Sequence, residues 1–308
     1  TQIIQAIKVI AGGTVVFSGV CLYKGLLFKI ALKDEGSVTP LPQDGNPKPR
    51  IFRLLQDDAV INRCGFNSAG HDVVLYNLQE SGMDDPAKRP APLGINLGKN
   101  KTSEDATNDY VQGVKFFGPV ADYLVINVSS RDDSRQELRA LSNFASQGED
   151  DKISPDSCHE ELREIAEVCL EKQVLVLLET ISPTSQQKSG ATATNWKFHF
   201  QFVGIVDGVI VSNTTVSRPA SLRSPEQAEV GGLSGAPLKE KSLHTLRDFY
   251  QLTGGRIPLI GVGGISSGQD AFERIRAGAS LVQLYTAMTY GGPGVVNRIH
   301  RELEEILR

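Results

Sequence analysis

The sequence feature that most constrains the fold is a series of six short apolar runs, spread along the chain with helical patterns between them. The runs contain β-branched residues, and most show no alternation of apolar and polar positions. This pattern indicates strands that are buried on both faces, as in a parallel sheet. The runs cover residues 93–97, 123–128, 174–178, 208–211, 258–262 and 281–285. Alternating strands and helices predict an α/β fold with right-handed crossovers.

Amphipathic helical patterns accompany these runs. Leu243, Leu246, Phe249 and Tyr250 form an apolar stripe, which the glycines at 254–255 close. Similar patterns cover residues 161–172, after a capping box of Ser157 and Glu160, and residues 270–277 and 295–307. Six or seven strands can be counted in all, whereas a closed (β/α)8 barrel needs eight.

The composition excludes several classes of function. The 308 residues are 40% apolar and 22% charged, which is ordinary for a globular protein. The net charge of -4 argues against a nucleic-acid-binding surface. The four cysteines are scattered without a C-x-x-C pair, so we predict neither a metal site nor a disulfide framework, and we expect a reducing compartment.

The N-terminal segment reads as a separate unit. Residues 9–23 are uncharged, with Lys8 before them and Lys24 after them. As a helix this run would rise roughly 22 Å, short of the roughly 30 Å hydrocarbon core of a bilayer. Extension to residue 28 gives enough length if Lys24 snorkels to the interface. We predict a membrane-anchor or targeting segment over residues 1–32 and a catalytic domain over residues 33–308, with a buried core helix as the alternative.

Polar and glycine-rich motifs follow the predicted strands. In a barrel the carboxyl ends of all strands meet at one mouth, where active sites assemble. An amide offers both a donor and an acceptor, so asparagine side chains can read a planar ring edge that bears alternating C=O and N–H groups. The motifs are GSVTP at 36–40, NLGKN at 96–100, NVSS at 127–130, SNTT at 212–215, GVGG at 261–264 and LYT at 284–286, with NRCGFN at 62–67 as a further loop.

Two of these motifs resemble a phosphate site. GVGG and LYT follow adjacent late strands, where backbone N–H groups of a barrel can meet an anion. A plain strand-to-helix turn is the alternative for either motif taken alone. Neither a Walker A sequence nor a G-x-G-x-x-G element is present.

Longer strings resemble the membrane-bound, quinone-using class of dihydroorotate dehydrogenase. They include INRCGFNSAG, LGINLGKNKTSEDATNDY, ADYLVINVSS, VSNTTVSRPA, GGLSGAPL and GVGGISSGQDAFERIRAGASLVQLYTAM. The resemblance covers most of residues 36–130 and 207–308. It implies a flavoprotein with an FMN-containing (β/α)8 TIM barrel, which oxidises dihydroorotate to orotate in pyrimidine (UMP) synthesis and passes electrons to ubiquinone. It also implies the mitochondrial inner membrane, with an N-terminal transmembrane anchor.

The resemblance also implies roles for individual residues. Ser130 matches the catalytic base that takes a proton from carbon 5 of dihydroorotate while a hydride leaves carbon 6 for FMN. The residues that match substrate contacts are Asn62, Cys64, Gly65, Phe66, Asn127, Asn213 and Thr214, the backbone N–H groups of residues 64–66 facing the carboxylate. The residues that match cofactor contacts are Ser37, Asn96, Asn127, Ser212, Gly235, Gly264, Tyr285 and Thr286, the last three around the phosphate.

Some positions depart from the family's pattern. The segment before Gly36 lacks the two helices of the quinone tunnel and the first βα unit, which predicts an incomplete barrel. The lysine that stabilises the reduced flavin's charge is replaced, in the best alignment, by Leu178. Cys64 stands where the family has tyrosine, and Ser130 is followed by Arg131-Asp132-Asp133 in place of Pro-Asn-Thr. These departures predict weaker FMN binding and slow turnover.

Two alternatives follow from the same residues. One is a catalytically impaired, membrane-tethered relative that acts as a binding protein. The other is an FMN-barrel oxidoreductase with a different substrate. Flavin absorbance of the purified chain separates the first alternative from an enzyme, and product analysis with dihydroorotate separates the second.

Overall fold

The computed structural model describes residues 15–16, 21–22, 37–85, 87–88, 92–127, 175–179 and 207–308. In chain order, the strands in these residues are β1 (Val15–Val16), β2 (Cys21–Leu22), β3 (Ile51–Leu54), β4 (Ala59–Asn62), β5 (Gly94–Leu97), β6 (Tyr123–Asn127), β7 (Leu175–Glu179), β8 (Gly208–Val211), β9 (Gly232–Gly235), β10 (Leu259–Val262) and β11 (Leu281–Gln283). The α-helices are α1 (His71–Glu80), α2 (Ala106–Phe117), α3 (Lys239–Thr253), α4 (Gly268–Arg276), α5 (Thr286–Gly291) and α6 (Gly294–Leu307).

Six strands form a parallel sheet whose order follows the chain. The order is β5-β6-β7-β8-β10-β11, and each neighbouring pair is parallel. Val38 extends this sheet beyond β5, because its N–H donates to Asn96 O at 2.8 Å and its carbonyl accepts from Gly98 N–H at 2.9 Å. The chain therefore has the predicted α/β fold.

The sheet is buried on both faces, as the apolar runs predicted. Leu97, Leu124 and Ile126 lie on the face that packs against α1 and α2. Val125 and Ile210 belong to a separate cluster on the opposite face. Successive residues of a strand alternate between the two faces, so an entirely apolar strand buries both.

All six predicted strands are observed, with bounds shifted by no more than two residues. Helices α3, α4 and α6 confirm three of the helical patterns, and Gly254 ends α3 in the left-handed conformation, with φ 59°. The pattern at 161–172 lies outside the described residues. Tyr250 differs from the prediction: it lies over Gly278, but 44% of it stays exposed, so it is at the margin of the apolar stripe.

A second, antiparallel sheet of three strands was not predicted. Its order is β3-β4-β9, and Asn62 at the end of β4 pairs with both Ile51 and Gly232. Its core contains Leu54, Ile61 and Leu233. This sheet carries two predicted site positions, Asn62 and Gly235, to the ends of their strands.

Helix α2 packs closely on β5 and reaches the sheet's polar end. Its first turn is capped by Asp105, whose side chain accepts from Asn108 N–H at 2.9 Å. A Cβ at Gly113 would lie 2.9 Å from the Leu97 side chain, so glycine permits this close contact. Tyr110 donates its hydroxyl to Asn127 O at 2.8 Å, which ties the helix to the end of β6.

The predicted anchor helix over residues 9–28 is not what the described residues show. Val15–Val16 pairs antiparallel with Cys21–Leu22, and the other residues of that range lie outside the described part of the chain. The prediction counted apolar length and neglected propensity, because β-branched valines favour strands and the glycines of this range disfavour a helix. Within the described residues, no helix is both long enough and apolar enough to cross a membrane.

Candidate functional site

Three predicted cofactor residues form one buried hydrogen-bond network at the carboxyl end of the parallel sheet. Ser37 Oγ donates to Asn96 Oδ1 at 2.7 Å, and Asn127 Nδ2 donates to Ser37 Oγ at 3.1 Å. All three side chains are almost fully buried. Asn96 is in register with Val125, and Asn127, two residues further along β6, lies on the same face of the sheet.

Side chains of Asn100 and Ser68 hold the backbone of the segment that follows Ser37. Leu41 N–H donates to Asn100 Oδ1 at 2.9 Å, and Asn100 Nδ2 donates back to Leu41 O at 2.8 Å. Asn100 is itself fixed by Asp109, whose carboxylate accepts its N–H at 2.8 Å. Ser68 Oγ accepts Thr39 N–H at 3.1 Å. These four contacts fix the backbone immediately after Ser37.

The loop after β4 presents backbone N–H groups. Gly65 and Phe66 both have positive φ, 71° and 52°. The carbonyls of Cys64 and Phe66 accept hydrogen bonds from Asn46 N–H at 2.9 Å and from Gln43 Nε2 at 2.7 Å. The N–H groups of Gly65 and Phe66 have no acceptor within the described part of the chain. Consecutive left-handed residues with free N–H groups form a concavity that suits an anion, and a left-handed phenylalanine is an uncommon, strained conformation.

Gly98 brings this loop next to the buried network. A Cβ at Gly98 would lie 2.9 Å from Ser37 Cβ and 3.5 Å from the Phe66 ring. Phe66 and Ser37 therefore flank the same glycine, which follows β5. The predicted carboxylate loop and the predicted cofactor network lie side by side.

The loop after β8 carries a buried hydroxyl without a partner. Ser212 is 2% exposed, and its Oγ has no hydrogen-bond partner in the described part of the chain. Thr214 N–H donates to Asn213 Oδ1 at 2.6 Å. Gly232 lies directly against Thr214, because a Cβ there would be 2.0 Å from Thr214 Oγ1. Since Gly232 pairs with Asn62 across the antiparallel sheet, the structure brings Thr214 close to Asn62.

Two glycines at the predicted phosphate end lie too close to neighbouring protein atoms to be replaced by a larger residue. Gly264 has φ 71°, and a Cβ there would lie 2.6 Å from Lys239 Cα. Gly235 has φ 98°, and a Cβ there would lie 2.9 Å from Thr286 Cγ2. Thr286 Oγ1 donates to Ser234 Oγ at 2.9 Å. Any larger residue at either glycine would clash with neighbouring protein atoms.

Tyr285 precedes Thr286 in the chain and lies near Cys64 in space. Burial raises the pKa of the Tyr285 phenol above its ordinary value, and the charge of the Cys64 thiolate adds to the rise. Tyr285 nevertheless keeps 39% of its surface exposed, so it is not part of the packed core. Cys64 is of intermediate exposure and forms no disulfide within the described residues.

The family model for dihydroorotate dehydrogenase matches residues 9–307 of this chain. The chain belongs to the dihydroorotate dehydrogenase family. It is 47% identical to the mitochondrial dihydroorotate dehydrogenase (quinone) of Mus musculus over 286 residues, which cover 89% of this chain and 67% of that protein. It is 44% identical to the mitochondrial dihydroorotate dehydrogenase (quinone) of Arabidopsis thaliana and 42% identical to the dihydroorotate dehydrogenase (quinone) of Rhodospirillum rubrum, covering 89% of this chain in each case. The chain spans 61% and 70% of the lengths of those two relatives.

Solved structures agree with this assignment. The dihydroorotate dehydrogenase of Eimeria tenella in complex with ferulenol superposes with a TM-score of 0.73 at 38% identity, covering 88% of this chain and 74% of that one. The ligand-free form of the same protein gives a TM-score of 0.71 at 34% identity, covering 99% and 93%.

The position predicted for the catalytic base of this dihydroorotate dehydrogenase family member, Ser130, lies outside the described residues. It follows Asn127, the last residue of β6, by three positions. Its role as the proton acceptor stays a prediction.

The register of β7 corrects the position predicted for the family's flavin lysine. Leu178 pairs with Ile126, which is buried among residues of α1 and α2. Leu177 pairs with Val125, which lies on the opposite face and itself pairs with the site residue Asn96. Positions 177 and 179, and not 178, are therefore in register with the site, since Glu179 pairs with Asn127. Neighbouring leucines left the alignment ambiguous by one residue, and only strand register resolves it.

The residues that support the site were not among those predicted from the sequence. Asn100 and Tyr110 fix the backbone on either side of the Ser37 network, and Ser68 accepts from Thr39 N–H. Asn100 lies inside the NLGKN motif at 96–100, so its place shortly after β5 could have identified it as a residue that supports the site. Tyr110 could have been found from the helical spacing that places it on the same face of α2 as Val114 and Phe117.

Proposed function

We propose that this chain binds FMN, oxidises dihydroorotate to orotate and delivers the electrons to ubiquinone, as a step of pyrimidine synthesis. The observation that carries the proposal is the buried network of Ser37, Asn96 and Asn127 at the carboxyl end of the sheet. It supplies fixed neutral donors and acceptors of the kind that read a planar heterocycle. The family relationship makes a flavin and a dihydropyrimidine the heterocycles to consider.

The described residues fit a flavin mononucleotide. Ser212 Oγ is buried without a partner, which is costly unless a ligand completes the hydrogen bond. Gly235 and Gly264 both have positive φ, and a Cβ at either position would clash with neighbouring protein atoms. We assign the ring end to Ser37, Asn96, Asn127 and Ser212, and the phosphate end to Gly235, Gly264, Tyr285 and Thr286. When bound, FMN supplies the hydride acceptor that the protein's own side chains lack.

The substrate would lie between the amides and the loop after β4. Asn62, Asn127, Asn213 and Thr214 would donate to and accept from the ring of dihydroorotate. The unpaired N–H groups of Gly65 and Phe66, with that of Cys64, would bind its carboxylate. Because these groups are backbone, they hold an anion without a charged side chain.

Ser130 would accept the proton from carbon 5 of the substrate as the hydride leaves carbon 6. A serine hydroxyl is a weak base, so its proton must be passed on to water or another group as it accepts the new one. The position three residues beyond Asn127 supports this role, because loops at the carboxyl ends of barrel strands carry the reacting groups.

We further propose that the parallel strands belong to an incomplete (β/α)8 barrel spanning residues 33–308. Residues 1–32 would attach the protein to the mitochondrial inner membrane without a continuous helix over residues 9–28, since Val15–Val16 pairs with Cys21–Leu22. The names of the mouse and Arabidopsis relatives, which contain the words quinone and mitochondrial, support this placement. Cell fractionation followed by carbonate extraction tests it: the anchored protein should stay in the pellet, and release by carbonate would contradict the anchor.

The experiment for the catalytic proposal uses the whole 308-residue chain. Flavin content is measured by absorbance after purification, and the bound flavin is then mixed with dihydroorotate in a stopped-flow instrument without oxygen. Bleaching of the flavin with formation of one orotate per flavin is the expected result. A chain that holds flavin but produces no orotate would support a different substrate, and a chain that takes up no flavin would contradict the proposal. Given its family, an enzyme is favoured over a binding protein.

A further inference from the structure

A fully buried arginine lies directly behind the Gly263–Gly264 turn. Arg274 of α4 is 0% exposed. Its Nη2 lies 2.8 Å from Gly263 O, 2.6 Å from Lys239 O and 2.8 Å from Ser242 Oγ. A single guanidinium nitrogen thus joins the loop after β10 to the first turn of α3.

The cluster around Arg274 contains one carboxylate, Asp270, and a second cation, Lys239. Asp270, one turn earlier on α4, is also 0% exposed and forms an ion pair with Lys239. Burial raises the pKa of Asp270, but hydrogen bonds from Lys239, Ser266 and Ser267 outweigh it and hold the pKa below its ordinary value. Burial lowers the pKa of Arg274, and the carboxylate of Asp270 opposes that change.

The hydrogen bonds of Arg274 do not by themselves explain why this side chain is buried. Its Nε and Nη1 are buried and have no hydrogen-bond partner among the residues that the structure describes. Burying a guanidinium with unpaired donors is unfavourable for stability, so the contacts of Nη2 must serve a purpose that an apolar residue could not.

The geometry of one peptide unit shows what that purpose is. Gly263 O accepts from Arg274 Nη2 at 2.8 Å and from Ser242 Oγ at 2.9 Å, so both of its lone pairs are used. The Gly263–Gly264 peptide is trans. In a trans peptide the C=O and N–H bonds point in opposite directions. The Gly264 N–H therefore points away from Arg274, and it has no acceptor among the described residues.

We propose that Arg274 is a positioning residue for a phosphomonoester bound at Gly264. By holding the Gly263 carbonyl on one side, Arg274 directs the Gly264 N–H toward the anion on the other side. The inference rests on the proposed FMN function and deepens it, because it assigns phosphate recognition to a residue that does not touch the phosphate.

The test compares FMN with riboflavin, which has the same ring system but no phosphate. Each flavin is titrated into flavin-free protein and binding is followed by quenching of flavin fluorescence. Arg274→Met should weaken FMN binding about tenfold or more, the effect of losing one well-directed hydrogen bond to a charged group. Riboflavin binding should be unchanged. A residue with only a structural role would weaken both flavins equally, and that outcome would overturn the proposal.

Arg276→Met is the matched control, because it removes the same charge from the same helix at an exposed position. Its FMN affinity should equal that of the unaltered chain, and a loss equal to that of Arg274→Met would overturn the proposal.

Ser242→Ala, which removes the second donor to Gly263 O, serves if Arg274→Met does not fold. It should weaken FMN alone, by roughly threefold, and an unchanged ratio of FMN to riboflavin affinity would overturn the proposal. An unaltered chain that binds both flavins equally well would overturn this inference alone. One that binds neither would also overturn the proposed function.

Discussion

Asn127 Nδ2 donates a 3.1 Å hydrogen bond to Ser37 Oγ, although the two residues are 90 positions apart in the chain. The contact exists because Val38 continues the parallel sheet beside β5, while Asn127 ends β6 on the other side of it. Ser37 then passes the interaction on to Asn96. The Ser37 hydroxyl thus connects three neighbouring segments at the carboxyl end of the sheet: its own segment, β5 and β6.

We expect Ser37→Ala to damage both stability and flavin binding. The substitution leaves the Asn96 carbonyl oxygen and one Asn127 N–H buried without this partner, which should lower the free energy of unfolding by about 1–3 kcal/mol. FMN affinity should fall about tenfold, since the amides lose their fixed orientation. Urea denaturation and flavin titration measure the two effects. Ser280→Ala, at an exposed position, is the control and should change neither quantity.

The parallel sheet could be predicted from the sequence because burial on both faces leaves a local signature. The strand at Gly208–Val211, for example, is apolar throughout and buried throughout. The antiparallel pair of β3 and β4 lacks this signature in β3, where Ile51 and Arg53 are exposed, and in β4 the buried run is only three residues long.

The site was partly predictable for a related reason. Strand ends identify Asn96 and Asn127 as site residues, but their shared contact with Ser37 depends on register between distant segments. Arg274 gave no signal at all. A charged residue in an amphipathic helix is normally on the solvent face, and only the packing of α4 against α3 shows that this one is buried.

Gly264→Ala should abolish most FMN binding. A left-handed alanine costs about 1–2 kcal/mol wherever it occurs. At Gly264 the new Cβ would also lie 2.6 Å from Lys239 Cα, so the turn must move. Gly82→Ala is the matched control, because Gly82 has φ 69° and open space around it. Both variants should lose similar stability from backbone conformation, and only Gly264→Ala should lose FMN affinity. Equal flavin binding by the two variants would mean that the turn does not contact the cofactor.

His71 should make the protein less stable in mild acid. Burial lowers its pKa from 6.5 to about 4, and its ring packs against Phe116 and Phe117. Between these pH values the unfolded chain binds a proton and the native protein does not, so this contribution to stability is complete above pH 6.5 and is lost as the pH falls toward 4. The loss should reach about 3 kcal/mol at the low end of the window.

Denaturation curves at several pH values measure this effect. His71→Leu should flatten the fall in stability between pH 6.5 and 4. His244→Leu, at a histidine whose side chain is 79% exposed, should leave the slope as it is. An unchanged slope in His71→Leu would assign the acid sensitivity to another group.

The register of β7 predicts different results for lysine at two adjacent positions. Position 177 is in register with Val125 and Asn96, at the site, so Leu177→Lys should bring a positive charge near the flavin and speed its reduction by dihydroorotate. Position 178 is in register with the buried Ile126, so Leu178→Lys should lower stability by roughly 3 kcal/mol or more and leave the reduction rate without gain. Stopped-flow reduction and urea denaturation of both variants decide between the positions, and a rate gain in Leu178→Lys alone would show that the register argument is wrong.

Ser130→Ala should slow the reduction of bound flavin by dihydroorotate by roughly a hundredfold or more, the usual contribution of a positioned general base. The argument is one of chemistry and of chain position. Oxidation removes a proton from carbon 5 and a hydride from carbon 6, and the side chains in the network with Asn127 are the Ser37 hydroxyl and the Asn96 amide, which bind without accepting a proton at neutral pH. Flavin content should stay unchanged, because Ser130 belongs to the substrate side. Ser129→Ala is the matched control, one residue closer to Asn127, and should retain the original rate. Equal rates in the two variants, with flavin fully bound in both, would show that another group accepts the proton.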